Sequence, residues 1–131
     1  GRSVILHTAR GPHDARIEAA AQALRDHEGL DADAARREAG LRIGQQLGAI
    51  TRTVLQQRAA GRLLVSGGDS ASRIVQTLAP DALLMSAPLA PGAPMCRAVA
   101  REPWLDGLEL ALKGGQMGDD RFFEAARNGL N

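Results

Sequence analysis

The chain has 131 residues, a length that fits one domain better than two. Hydrophobic residues make up 44% and charged residues 24%, an ordinary globular composition that argues against intrinsic disorder. Its 16 basic and 15 acidic residues interleave to a net charge of +1, leaving no basic face for nucleic acid or an anionic membrane. Trp104, Phe122 and Phe123 are the whole aromatic complement, too few for a stacking platform that binds single strands. No apolar run approaches the roughly 18–20 residues of a membrane span, and the first residues do not read as the charged-then-apolar pattern of a signal peptide. The lone cysteine, Cys96, excludes an intrachain disulfide and suits a reducing compartment, so a cytoplasmic location is expected.

Ser3 to Thr8 reads as a short buried strand stopped by Gly11-Pro12. So abrupt a start is expected of a piece of a longer chain. From Asp14 to His27, Ile17, Ala20, Ala21 and Leu24 recur at helical spacing. Gly29 ends that helix, and Asp31 or Asp33 caps the next. The second helix is predicted over Asp33 to Ala60, with a stripe through Leu41, Ile43, Leu47, Ile50, Val54 and Leu55. Gly40, Gly44 and Gly48 lie four apart and put a smooth strip on one face, suited to close packing.

A second apolar run, Arg62 to Ser66, predicts a strand, followed by Gly67-Gly68-Asp69-Ser70 and a helix over Ser72 to Leu78. Ala82 to Met85 reads as a strand. Residues 87–94 are predicted to be a loop, because Pro88, Pro91 and Pro94 cannot donate to a ladder. Cys96 to Ala100 reads as a short strand and Leu108 to Lys113 as a stronger one. Asp119 caps a last helix that carries Phe122, Phe123 and Ala126 on one face. This order predicts a layered α/β domain with a mostly parallel, possibly mixed, central sheet flanked by helices.

Two stretches carry candidate chemistry. In Leu64-Val65-Ser66-Gly67-Gly68-Asp69-Ser70 a buried strand meets glycines and then a helix. Glycines admit an anion close to backbone N–H groups, and a helix N-terminus adds partial positive charge. The stretch is neither a Walker A loop nor a dinucleotide fingerprint. It also suits a plain strand-to-helix turn capped by Ser or Asp. Leu112-Lys113-Gly114-Gly115-Gln116-Met117-Gly118-Asp119 repeats the arrangement and holds the chain's one lysine. On one edge of a parallel sheet, two such turns could clasp a nucleotide from two sides. Asp69 could cap its helix or hold Mg²⁺ through water beside a phosphate. No set of metal-ligating side chains is predicted. His7, His13 and His27 read as surface residues, and Cys96 has no histidine placed to activate it.

From about Leu64 to Ala126 the sequence resembles the C-terminal nucleotide-binding domain of the four-carbon acid sugar kinases, which phosphorylate threonate, erythronate and 3-oxo-tetronate. The family's Gly-Gly-(Asp/Glu)-Thr-Ser-Gly corresponds to Gly67-Gly68-Asp69-Ser70-Ala71-Ser72, and its Ala-Pro-Gly-Val-Pro to Ala90-Pro91-Gly92-Ala93-Pro94. Its Leu-Lys-Ser-Gly-Asn-Phe-Gly corresponds to Leu112-Lys113-Gly114-Gly115-Gln116-Met117-Gly118, with Phe122-Phe123 close behind. The resemblance implies that residues 1–131 form one nucleotide-binding domain, with the sugar-binding N-terminal domain outside this chain. It implies ATP and Mg²⁺ as cofactors, bound at Gly67, Gly68, Asp69, Ser70 and Gly115, with Lys113 beside the phosphates. It implies a kinase whose sugar-acid substrate is held by the other domain, and an isolated domain without turnover. The other reading is a non-catalytic α/β module that senses a nucleotide or small anion.

Overall fold

The computed structural model describes residues 3–58, 60–115, 117 and 119–128. The chain divides into two compact units, residues 1–43 and 44–131.

The first unit is helical. Helix α1 spans Ala15–Glu28, and α2, Ala32–Gln57, begins here and continues into the second unit. Each start is capped by an aspartate, and the α2 cap is the predicted Asp31. The Asp14 side chain accepts from the Arg16 N–H, and the Asp31 carboxylate accepts from the Ala34 N–H at 2.8 Å. Gly29 ends α1 with φ +67, a conformation in which glycine is at no disadvantage. Hydrogen bonds from the Arg16 side chain, then from the Arg10 and Arg16 N–H groups, hold the Asp14 carboxyl well below the usual carboxylate range. Small side chains, Ala21, Ala35 and Ala39, are buried. Ion pairs run between the helices, Arg36 to Glu18 at 3.0 Å and Arg42 to Glu28 at 2.6 Å. The strand expected at Ser3 to Thr8 is absent. Residues 3–7 adopt no regular structure, and Val4 and Ile5 are 90% and 84% exposed. A short apolar run becomes a strand only where a sheet edge receives it, and none does here.

The second unit is a four-stranded sheet between helices. Strand β1 is Arg62–Ser66, β2 Ala82–Ala90, β3 Ala93–Val99 and β4 Glu109–Lys113, in the order β1-β4-β3-β2. The β1–β4 pair is parallel and the β4–β3 and β3–β2 pairs are antiparallel. The layered α/β architecture is therefore as expected, and its sheet takes the mixed form. The one parallel pair arises where helix α3, Gly68–Leu78, leads away from β1 before the chain returns. That helix starts at Gly68 rather than Ser72.

Residues 87–94 are strand and turn rather than loop. The three prolines occupy places where no ladder N–H is required. Pro88 lies on the edge strand β2 where its register shifts, Pro91 in the hairpin turn, and Pro94 before the first β3–β4 pair.

Alternation along the strands sends side chains to two cores. Val65, Ile74, Leu78, Leu105, Leu108 and Leu110 pack on the α3 face, joined by Leu55 of α2. Ala93, Met95 and Ala111 pack on the other face against Phe122 and Ala126 of α4, Phe122–Asn128. The α2 glycines explain how α2 approaches α3. A Cβ at Gly48 would lie 2.8 Å from Thr77 Cβ, and one at Gly44 would lie 2.9 Å from Arg73 Cγ. Gly40 has open space beside it.

Candidate functional site

Both glycine turns leave the carboxyl ends of parallel neighbours. The register pairs Ser66 with Lys113, and the Gly67 N–H donates to the Lys113 carbonyl at 2.8 Å. The two stretches picked out in the sequence therefore stand side by side at one edge of the sheet. The hairpin between β2 and β3 joins them there. Because β3 runs antiparallel to β4, with Met95 opposite Ala111, its first residues flank the end of β4. The three sequence motifs that carry the kinase resemblance thus converge on one edge.

The first turn is built from backbone. Gly67 has φ +117, a conformation that side chains strongly disfavour, and it sits at the N-cap position of α3. The first intrahelical bond runs from the Ala71 N–H to the Gly67 carbonyl. Helix geometry leaves the N–H groups of Gly68, Asp69 and Ser70 without intrahelical partners. Among the described residues no side chain caps them. Asp69 is exposed, Ser70 half-buried, and a Cβ at Gly68 would meet nothing within 4 Å.

The second turn brings the charge. Lys113 Nζ reaches back to the Gly114 and Gly115 carbonyls at 3.4 and 3.3 Å, and lies 5.8 Å from the centre of the Phe122 ring. Its place on the strand puts it on the same sheet face as Phe122. The Met117 N–H donates to the Gly114 carbonyl at 3.1 Å and closes the turn over exposed Gly115. Asp119 stands three residues before α4 rather than capping it: its carboxylate accepts from the Arg121 N–H at 3.0 Å, in the turn ahead of the helix. Gln116 and Gly118 lie outside the described residues.

Each candidate residue thus belongs to one edge: Gly67, Gly68, Asp69 and Ser70 on the β1 side, Lys113 and Gly115 on the β4 side. Such an arrangement offers free backbone donors, a helix N-terminus and a cation to a polyanion. Among the described residues no group of three His, Cys, Asp or Glu side chains is placed to hold a metal ion. Asp69 is the carboxylate nearest in sequence to the free N–H groups, with no imidazole or thiol partner. That donor set suits a hydrated hard cation carried in on phosphate. A shallow groove of about 370 Å³ opens at the opposite edge, beside Gly61, Trp104 and Leu108. Asp106 is its one charged lining residue and already accepts from the Ala100 N–H at 3.1 Å, so no cation lines the groove to attract an anion.

A family described as "Nucleotide-binding C-terminal domain" matches residues 1–123. The chain belongs to this domain family, found in the four-carbon acid sugar kinases. It is 42% identical to a 3-oxo-isoapionate kinase from Paraburkholderia graminis, over 98% of this chain and 26% of that protein. It is 33% identical to a 3-oxo-tetronate kinase from Pectobacterium atrosepticum, over 69% of this chain and 20% of that protein. A crystal structure of a Haemophilus influenzae protein superposes with a TM-score of 0.52 at 25% identity, over 86% of this chain and 24% of that one. The chain spans about a quarter of the length of the relatives it matches most fully. No helix among the described residues is long and apolar enough to cross a membrane.

Sequence reasoning placed the two glycine turns in the site. Ala90-Pro91-Gly92-Ala93-Pro94 entered it only as a motif of the resemblance and read as a loop, so its place beside the turns was missed.

Proposed function

We propose that the chain binds Mg·ATP at the paired glycine turns and supplies the nucleotide half of a cytoplasmic sugar-acid kinase. The observation that supports this most is the Gly67 N–H to Lys113 carbonyl bond, which holds the two turns together. In this reading the Gly68, Asp69 and Ser70 N–H groups donate to phosphate oxygens. Gly115 lets the second turn approach from the other side, and Lys113 turns its ammonium to the distal phosphates. Asp69 orders water around the cation. Mg²⁺, when bound with the nucleotide, neutralises charge that develops on the transferred phosphoryl group.

The acceptor is the terminal hydroxyl of a four-carbon sugar acid, held by a sugar-binding domain such as the family's longer kinases carry. Phosphoryl transfer depends on positioning the acceptor and neutralising charge. The 131 residues alone therefore bind nucleotide without turning it over.

Thermal denaturation with Mg·ATP tests the binding. We expect a dissociation constant from high micromolar to millimolar, roughly −4 to −6 kcal/mol. At about ten times that concentration, linkage adds roughly 1.4 kcal/mol, a rise of about 3–6 °C in Tm. No shift at about 10 mM nucleotide, well above that range, refutes the site. Coupled ADP release should stay at background with threonate, erythronate, 3-oxo-tetronate and 3-oxo-isoapionate. Turnover by the chain alone would refute the division of labour.

A further inference from the structure

The glycine turns account for phosphates and leave the base of a nucleotide without a seat. We propose that the β2–β3 hairpin tip, Pro91–Gly92, and Met117 form the wall on which that base packs, with Met117 as its side-chain contact. The inference rests on the nucleotide reading above.

Topology supplies the position. The tip lies at the same sheet edge as both glycine turns, beyond β4 from β1. Adjacent strands are about 4.8 Å apart, so the tip stands about 10 Å from Gly67, further than a single phosphate reaches.

Chemistry changes across that span. The β1 side offers free N–H groups, Asp69 and Ser70, and the middle offers Lys113. The tip, Ala90-Pro91-Gly92-Ala93-Pro94, carries no charged or hydroxyl side chain. A polar floor that ends in an uncharged wall matches a ligand with an anionic tail and an apolar, planar head.

Packing supplies the residue. The Met117 methyl lies against Gly92, where a Cβ would collide with it, and Gly92 has φ +71. Met117 Cγ lies 3.2 Å from where a Cβ on Gly114 would stand, yet the residue remains 39% exposed. Its thioether is thus braced between the hairpin and the second turn while one side stays open. A polarizable, unbranched side chain makes favourable contacts with an aromatic edge. The turn that projects Met117 is the turn that carries Gly115, so phosphate and base contacts are set together.

The test compares Mg·ATP with magnesium tripolyphosphate by titration calorimetry, on the protein and on Met117→Ala, Met117→Leu and Gly92→Ala. Melting curves confirm that each variant is folded. The protein should bind ATP at least about tenfold more tightly than tripolyphosphate. Met117→Ala should lose about fivefold for ATP and nothing for tripolyphosphate, since it removes apolar contact alone. Met117→Leu should stay within about twofold for ATP, as it restores most of the apolar volume. Gly92→Ala should behave like Met117→Ala, because its Cβ displaces the Met117 methyl. ATP affinity unchanged in Met117→Ala, or equal losses for both probes, overturns the assignment. Tripolyphosphate bound as tightly as ATP by the unaltered protein overturns the base wall and leaves the phosphate site standing. Binding of neither probe overturns both.

Discussion

The two glycine turns occupy equivalent places at the ends of parallel strands and are built in opposite ways. The β1 turn leads straight into an 11-residue helix that is held from behind, where Gly44 and Gly48 admit the α2 backbone to Arg73 and Thr77. Its donors are backbone groups and cannot rearrange. The β4 turn leads into a 7-residue helix and contributes a cation on a flexible stem. That helix is held at its far end, where the Arg62 guanidinium donates to the Ala126 carbonyl and Arg62 Nε to the Glu109 carboxylate at 2.7 Å. One turn offers fixed geometry and the other movable charge. Substitutions should therefore separate them, with the larger penalties on the fixed side.

The largest effect is expected where α3 is anchored. Gly48→Val puts a branched side chain where even a Cβ would collide with Thr77. The two helices must separate, at about 3 kcal/mol, the upper end for an overpacked contact. Chemical denaturation should show that loss. A variant within about 0.5 kcal/mol of the parent, the scatter of neutral surface changes, would mean that α2 does not hold α3.

Next comes the fixed turn itself. Gly68→Val should weaken ATP by at least tenfold, about 1.4 kcal/mol, with stability retained. The side chain enters open space, so the fold has no reason to suffer. It also stands in the path of an anion approaching the free N–H groups. Unchanged affinity in the folded variant would remove this turn from the site.

These two positions show what could be read in advance. A strand, two glycines and a helix are local features, and Leu64 to Ser70 displays them in order. Caps are equally local, so Gly29 and Asp31 were legible. Pairing partners are not local. Val4, Ile5 and Leu6 have strand composition and no strand to join, while Ala87 to Pro94 has loop composition and a ladder that tolerates it. That the two turns share an edge follows from β1 pairing with β4 in parallel, a contact between residues 47 apart that periodicity does not encode. The hairpin tip entered the site for the same reason.

The anchor of the movable turn should matter less than that of the fixed one. Arg62 and Glu109 are each about one-third exposed, so water screens their attraction. Arg62→Ala removes this pair and the bond to Ala126, for about 1 kcal/mol in all. Thermal melting should register a drop of about 2–4 °C. A loss as large as that of Gly48→Val would show that both helices are held with equal force.

The smallest effect belongs to the lysine, and its selectivity is more telling than its size. Lys113 Nζ makes two long bonds to carbonyls of its own turn and one contact with the Phe122 ring. None is short enough to hold it against a competing phosphate. A lysine ammonium is a compact charge on a four-carbon stem, able to swing without moving the strand beneath it. Much of its attraction to phosphate is repaid in lost hydration and side-chain freedom, as in exposed ion pairs generally. Lys113→Ala should therefore weaken ATP only about threefold, about 0.7 kcal/mol. AMP, which lacks the distal phosphates, should lose less. The gap between the two nucleotides should narrow at about 1 M salt, where the Debye length falls to about 3 Å. Gly68→Val should lower ATP affinity at either salt concentration, because backbone donors need contact rather than field. Equal losses for ATP and AMP in Lys113→Ala would place the ammonium elsewhere and leave the fixed turn as the sole phosphate determinant.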